Sequence, residues 1–210
     1  MTRTAGPRWT RKRLVDMLGH CYGFTPRGAV DTAAVAEHLA VSQRTVQRWM
    51  RGTNRQKAAI PAHRLHELLR APAETELRSR QQAEYAREAI IQLALPRGRG
   101  VLPAWRKQGW LEPHVVTVIE IVGHPWRQVV VSNGKARSIA ETKRRGTLVD
   151  VARVPTRFHA VVLAHEVMES VTPWRVHPLP RILAQGRTQV WSRDAPAVDL
   201  SVIAVAKGLS

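Results

Sequence analysis

A chain of 210 residues with 33 Lys and Arg against 16 Asp and Glu has a formal charge of +17, a field that attracts polyanions. No run of about 18 apolar residues exists to cross a bilayer as a helix, and a single cysteine excludes an internal disulfide framework. The length suits two domains of moderate size, and both are basic: residues 1–72 hold 13 basic and 4 acidic side chains, residues 73–210 hold 20 and 12.

The chain opens on Arg3, Arg8, Arg11, Lys12 and Arg13, interrupted by Gly6 and Pro7. Such an arm lies along a nucleic-acid backbone or in a minor groove, or it is a solubilising tail. Cys21 is expected to pack inside the first helix, in keeping with a reducing cytoplasm. No signal peptide is expected ahead of the first domain, and the protein is expected to be cytoplasmic and nucleoid-associated.

Residues 32–52 (TAAVAEHLAVSQRTVQRWMRG) carry the densest pattern. They read as two short helices joined by a tight turn. Ala36 is small where the helices would cross. Leu39, Val41, Val46 and Trp49 supply packing, and Ser42 stands where a hydroxyl caps a new helix. Between them fall Gln43, Arg44, Thr45, Gln47 and Arg48, side chains suited to base edges in a major groove. Arg11, Lys12, Arg13, Ser42, Arg51, Arg55 and Lys57 are the candidates for the phosphate backbone. A plain amphipathic pair with a solvated basic face is the competing reading. The small residue, the turn and the cap all at the required offsets weigh against it.

Ala36, Leu39, Ala40, Val41, Ser42, Thr45, Val46 and Trp49 match the pattern A-x-x-L-[AG]-V-S-x-x-T-V-x-x-W. It resembles the helix-turn-helix of bacterial and phage regulators. Ala40 departs from the glycine usual at that turn and is strained if its φ is positive. Trp49 to Gly52, then Ile60, Pro61, Leu65, Leu68 and Leu69, resemble the lambda-repressor-like (Cro/CI-type) subclass, in which a further helix closes the bundle. The segment from Leu14 to Gly23 resembles the N-terminal part of actinobacterial telomere terminal proteins. These resemblances cover about residues 10–72. They imply a sequence-specific double-stranded DNA-binding protein, most simply a repressor-type transcriptional regulator of a phage or mobile element. The alternatives are a replication or telomere-associated protein of an actinobacterial replicon and a DNA-packaging protein. The excess of arginine over lysine, with abundant Ala, Val and Pro, fits a GC-rich actinobacterial source.

Residues 73–95 lack Gly and Pro and predict a helix of about six turns. Its first half is polar all round, as in a connector between domains. Ile90, Ile91, Leu93 and Leu95 are expected to dock its far end. Pro96, Arg97, Gly98, Arg99 and Gly100 read as a basic hinge, which sets domains at 1–72 and 99–210 with a connector at 73–98. Either two chains pair on a palindrome, or one chain uses two contact modules on an asymmetric site.

The remainder changes period. Residues 115–122 are apolar on both faces and predict a buried strand. Residues 128–132 predict a second, with His124, Pro125 and Trp126 turning between them. Asn133-Gly134 is a tight-turn signal, and Arg137, Lys143, Arg144 and Arg145 in or after it suit a second DNA contact. Residues 147–154 predict another strand, 158–171 a helix, 189–192 a short strand and 196–209 a closing helix. The expected class is α+β: an N-terminal helical bundle, a connector helix, then a small antiparallel sheet with helices. Trp105 to Leu111 followed by two strands also resembles the end of a winged helix. Seven tryptophans invite a base-stacking role, though buried Trp is more often a core anchor.

Catalytic patterns are poor. No Gly-rich phosphate loop or nucleophilic serine motif is present. His165, Glu166 and Glu169 begin like H-E-x-x-H but end in a carboxylate. His159 lies six residues before His165 and points elsewhere on a helix, and Asp150 is remote. No catalytic site, metal or cofactor is expected.

Overall fold

The computed structural model describes residues 7–96 and 100–210. Arg3 and Gly6 of the expected arm and residues 97–99 of the expected hinge lie outside the described residues. The chain is α+β, with helices in its N-terminal part and an antiparallel sheet in its C-terminal part. It divides into two compact units, Met1–Ala71 with Pro173–Ser192, and Pro72–Thr172 with Arg193–Ser210. The helix Ala73–Leu93 falls within the second of these units. The stretch Pro173–Ser192, taken from sequence as part of the α+β domain, folds with the N-terminal helices.

In the first unit, α1 (Arg11–Tyr22) starts at Thr10, whose hydroxyl accepts the Arg13 N–H at 3.3 Å. Arg11, Lys12 and Arg13 therefore form a helical first turn and not an extended arm. Asp31 caps α2 (Thr32–His38) by accepting the Ala34 N–H at 3.1 Å. Then come α3 (Gln43–Trp49) and α4 (Ala62–Leu69). Leu14, Leu18, Cys21, Val35 and Val46 are fully buried, with Trp49 and Leu68 nearly so. This is one apolar stripe from each helix meeting in a common core. The returning stretch is tied to it at several points. Leu179 N–H donates to Cys21 O at 3.0 Å. Arg181 donates to Tyr22 O at 2.7 Å and pairs with Asp31 at 3.2 Å. The strand Val190–Ser192, β4, closes it, with Trp191 buried and bridged to Arg175.

In the second unit, α5 (Ala73–Leu93) and α6 (Pro103–Lys107) precede β1 (His114–Ile121) and β2 (Trp126–Ser132). Then follow α7 (Ala136–Arg145), β3 (Gly146–Val154), α8 (Arg157–Ser170) and α9 (Leu200–Ala206). Within this unit the strands run β3-β1-β2, all antiparallel, with Val116 opposite Val131 on one side and Ala152 on the other. β1 is thus internal, the reason it is apolar on both faces. A β-bulge at Val118/Ile119 shifts its register with β3. α8 packs on this sheet and buries Phe158, Val162, Leu163 and Val167.

The docking face of α5 differs from the expectation. Ala83, Ala86 and Ala89 are its buried residues, and the helix packs on α8. Ile91 and Leu95 are exposed, while Ile90 and Leu93 are half-buried. Small side chains let the helix backbones approach closely, so the largest apolar residues need not mark the contact.

Asn133-Gly134 also behaves differently. Gly134 takes φ +68°, the left-handed value the turn requires, but the turn leads into α7 instead of another strand. Asn133 explains why: its side-chain oxygen accepts the Lys135 N–H at 3.2 Å and the Ser138 hydroxyl at 2.9 Å, organising a helix start. Nor do α6 and the β1–β2 hairpin form a freestanding wing. β1 is flanked by β3 as well, and Trp105 of α6 is buried against Phe158 with ring centroids 4.7 Å apart.

Candidate nucleic-acid interface

The turn between α2 and α3 has a complete hydrogen-bond set. Ala40 N–H donates to Glu37 O at 3.2 Å and Val41 N–H to Ala36 O at 3.0 Å. Ala40 itself has φ +49°, a non-glycine residue in left-handed backbone. This is the Schellman closure of a helix, with alanine where glycine is preferred. Ser42 then opens α3: its hydroxyl accepts the Thr45 N–H at 3.2 Å and lies 2.9 Å from the Thr45 hydroxyl. Ala36, Leu39, Val46 and Trp49 are all buried.

Burying Val46 and Trp49, three apart on one face, turns the opposite face outward. Gln43, Arg44, Gln47 and Arg48 are exposed there. Thr45 is half-buried and committed to the cap, so it stands apart from the other four. Ser42 is likewise engaged with the helix start. Arg51, Arg55 and Lys57 are exposed along the following loop, where Lys57 bridges to Thr10.

Two of the three α1 cations have structural work that sequence did not reveal. Arg11 donates from Nε to Met50 O at 2.7 Å and from its guanidinium to the Asn54 side chain, while its backbone N–H reaches Gln56 O at 2.9 Å. It closes the C-terminal end of α3 onto α1. Arg13 lies over the ring of Trp174, 5.0 Å from the centroid, and 5.9 Å from that of Trp9. Lys12 is the exposed member. Arg64 was not singled out from sequence: it donates to Leu39 O at 3.4 Å, at the turn itself, and pairs with Glu67 at 2.8 Å. A cation at the C-terminal end of a helix is a common closure, but nothing in the sequence says which arginine reaches it.

The second candidate group lies on α7. Arg137 and Lys143 are exposed. Arg144 is exposed and pairs with Glu141 at 2.8 Å. Arg145 turns inward, donates to the side chain of Gln128, which is buried, and has its pKa lowered by that burial. It therefore leaves the group of candidate phosphate contacts.

The tryptophans are mostly interior. Trp49, Trp105, Trp126 and Trp191 are buried, and Trp110 is stacked under Arg157 at 5.0 Å. Glu166 of the near-metal motif bonds Arg87 and Lys207, each at 2.7 Å. Burial pushes its pKa up, and those two partners outweigh burial to leave it below the ordinary value. His159 Nδ1 lies 2.7 Å from the Thr156 hydroxyl. Among the described residues no three His, Cys, Asp or Glu side chains gather as a metal site. None of the described helices is long and apolar enough to cross a membrane.

No family model matches the chain, and no match was found among curated proteins or solved structures.

Proposed function

We propose that the first unit is a helix-turn-helix module that binds double-stranded DNA in a sequence-specific way, with α3 in the major groove. The observation that carries this reading is the division of α3 into two faces. Val46 and Trp49 are buried, Ser42 caps the start, and Gln43, Arg44, Gln47 and Arg48 stand together in solvent. Gln matches the paired groups of adenine, and Arg matches those of guanine. Lys12, Arg51, Arg55 and Lys57, exposed in the same unit, are the phosphate partners in this reading. The chain then serves as a cytoplasmic, nucleoid-associated regulator of the repressor type, without catalysis. Replication or telomere binding and DNA packaging are the alternatives, each using the same α3 surface.

A pair of chains on a palindrome would place two α3 helices about 34–36 Å apart. α5 does not offer a coiled-coil seam for that pair. Its outward stripe runs Leu77, Gln81, Glu84, Glu88, Ile91, with two carboxylates in it. Pairing therefore needs another surface, or one chain binds alone through both units.

Alanine replacement of Gln43, Arg44 or Gln47 is expected to weaken binding to a selected site by roughly 1–3 kcal/mol each. Binding to random duplex should change much less, as read by fluorescence anisotropy. Equal losses on selected and random DNA would reject base reading by α3.

A further inference from the structure

We propose that the outer face of α7 is a second, sequence-independent contact for the phosphate backbone of duplex DNA. The inference rests on the reading of α3 as the base-reading helix.

Arg137 and Arg144 are seven residues apart, so they share one side of α7, and Lys143, about 100° further round, is exposed on the same solvent-facing half, away from Ser138, Thr142 and Arg145. Lys135 stands at the helix start and is exposed as well. The helix carries one acid, Glu141, which pairs with Arg144. Arg137 and Lys143 have no acidic partner among the described residues. Between residues 136 and 144 the helix rises about 12 Å. That spans three to four nucleotides of one strand at about 3.4 Å each.

A loop with the same cations would lose much of its freedom on binding. α7 is already fixed. Thr142 is buried and its hydroxyl donates to Ser138 O at 2.9 Å, Arg145 is bonded to Gln128, and the helix packs on all three strands of the unit. Its cations are thus presented on a rigid base, which lowers the ordering cost of contact. Covalent attachment to a unit that holds DNA raises the local concentration of duplex, so a contact too weak alone adds to the whole.

The test uses the full chain and two probes, a random-sequence 30-base-pair duplex and a duplex recovered by selection on the protein. Salt titration gives the number of neutralised phosphates. Arg137→Gln with Lys143→Gln should lower the slope of log affinity against log salt by roughly 2 on both duplexes. Affinity near 0.1 M salt should fall roughly ten- to a hundred-fold, with the preference for the selected site and the thermal melt unchanged. Arg78→Gln with Arg80→Gln on α5 removes the same charge and should change the slope far less. Equal slope losses in the two variants would show a general field effect and overturn the proposal, as would an unchanged slope in the α7 variant. Gln43→Ala with Gln47→Ala should abolish preference while keeping the slope. If preference survives there, the reading of α3 fails, while the slope of the α7 variant still decides the second contact.

Discussion

Ala40 sits at φ +49° because the turn must reverse the chain within three residues, whatever side chain is present. A Cβ in that region clashes with the neighbouring carbonyl and costs about 1 kcal/mol. Ala40→Gly is therefore expected to stabilise the first unit by about 0.5–1 kcal/mol, seen as a higher urea midpoint. A lower midpoint would show that the turn holds no strain. His177 belongs to the same unit and is 8% exposed. Burial first, then the charges of Arg187 and His38, lower its pKa from 6.5 to about 4. Folded protein keeps the ring neutral while the unfolded chain takes up a proton below pH 6.5. Stability from this group is complete above pH 6.5 and is lost as pH falls towards 4. Burial lowers His20 in the same direction, against a smaller opposing effect from Asp16. Unfolding at pH 7 and pH 5 should differ by about 2 kcal/mol, and His177→Gln should remove most of that difference. A wild-type unit equally stable at both pH values would contradict the buried neutral ring.

At the scale of elements, β3 has exposed Leu148, Val149 and Val151. An exposed apolar strand invites pairing with another chain. Asp150 stands in the middle of this row. Its Oδ1 accepts the Val151 N–H at 2.7 Å and its Oδ2 accepts the Leu200 N–H at 2.8 Å, at the start of α9. One carboxylate occupies a strand donor and holds a helix start. Asp150→Ala should cost about 1–3 kcal/mol and promote self-association, measured by light scattering against concentration. A variant that stays as monodisperse as the parent would show that the bulge alone protects the strand. Gly146 at the start of β3 has a different duty: a Cβ there would strike the Glu120 carbonyl oxygen. Alternation and β-branching made these strands legible. The burial of α5 through Ala83, Ala86 and Ala89 was not, because hydrophobicity ranks those positions below Ile91 and Leu95.

For the molecule as a whole, the first unit is discontinuous. Pro173–Ser192 supplies Leu179 to Cys21, Arg181 to Tyr22 and Asp31, and Trp174 to Arg13. A fragment ending at residue 72 has α2, the turn and α3 intact but lacks these partners. It should melt well below the first unit of the full chain, because the Tyr22 carbonyl loses Arg181 and Arg13 loses Trp174, as followed by circular dichroism. A fragment as stable as that unit would mean that the returning stretch is dispensable. The sequence by itself determined α2, the turn, the Ser42 cap and α3, because helix starts, turns and one-face packing depend on residues within about four positions. It also determined the α+β class and the internal strand β1, through period and β-branching. Only the tertiary structure decided that Arg11 and Arg145 serve the fold while Lys12, Arg137 and Lys143 face solvent. Only the tertiary structure decided that a stretch 100 residues downstream completes the first unit. Those outcomes depend on which carbonyls and amides lie within reach of a long side chain, and spacing along the chain does not encode that reach.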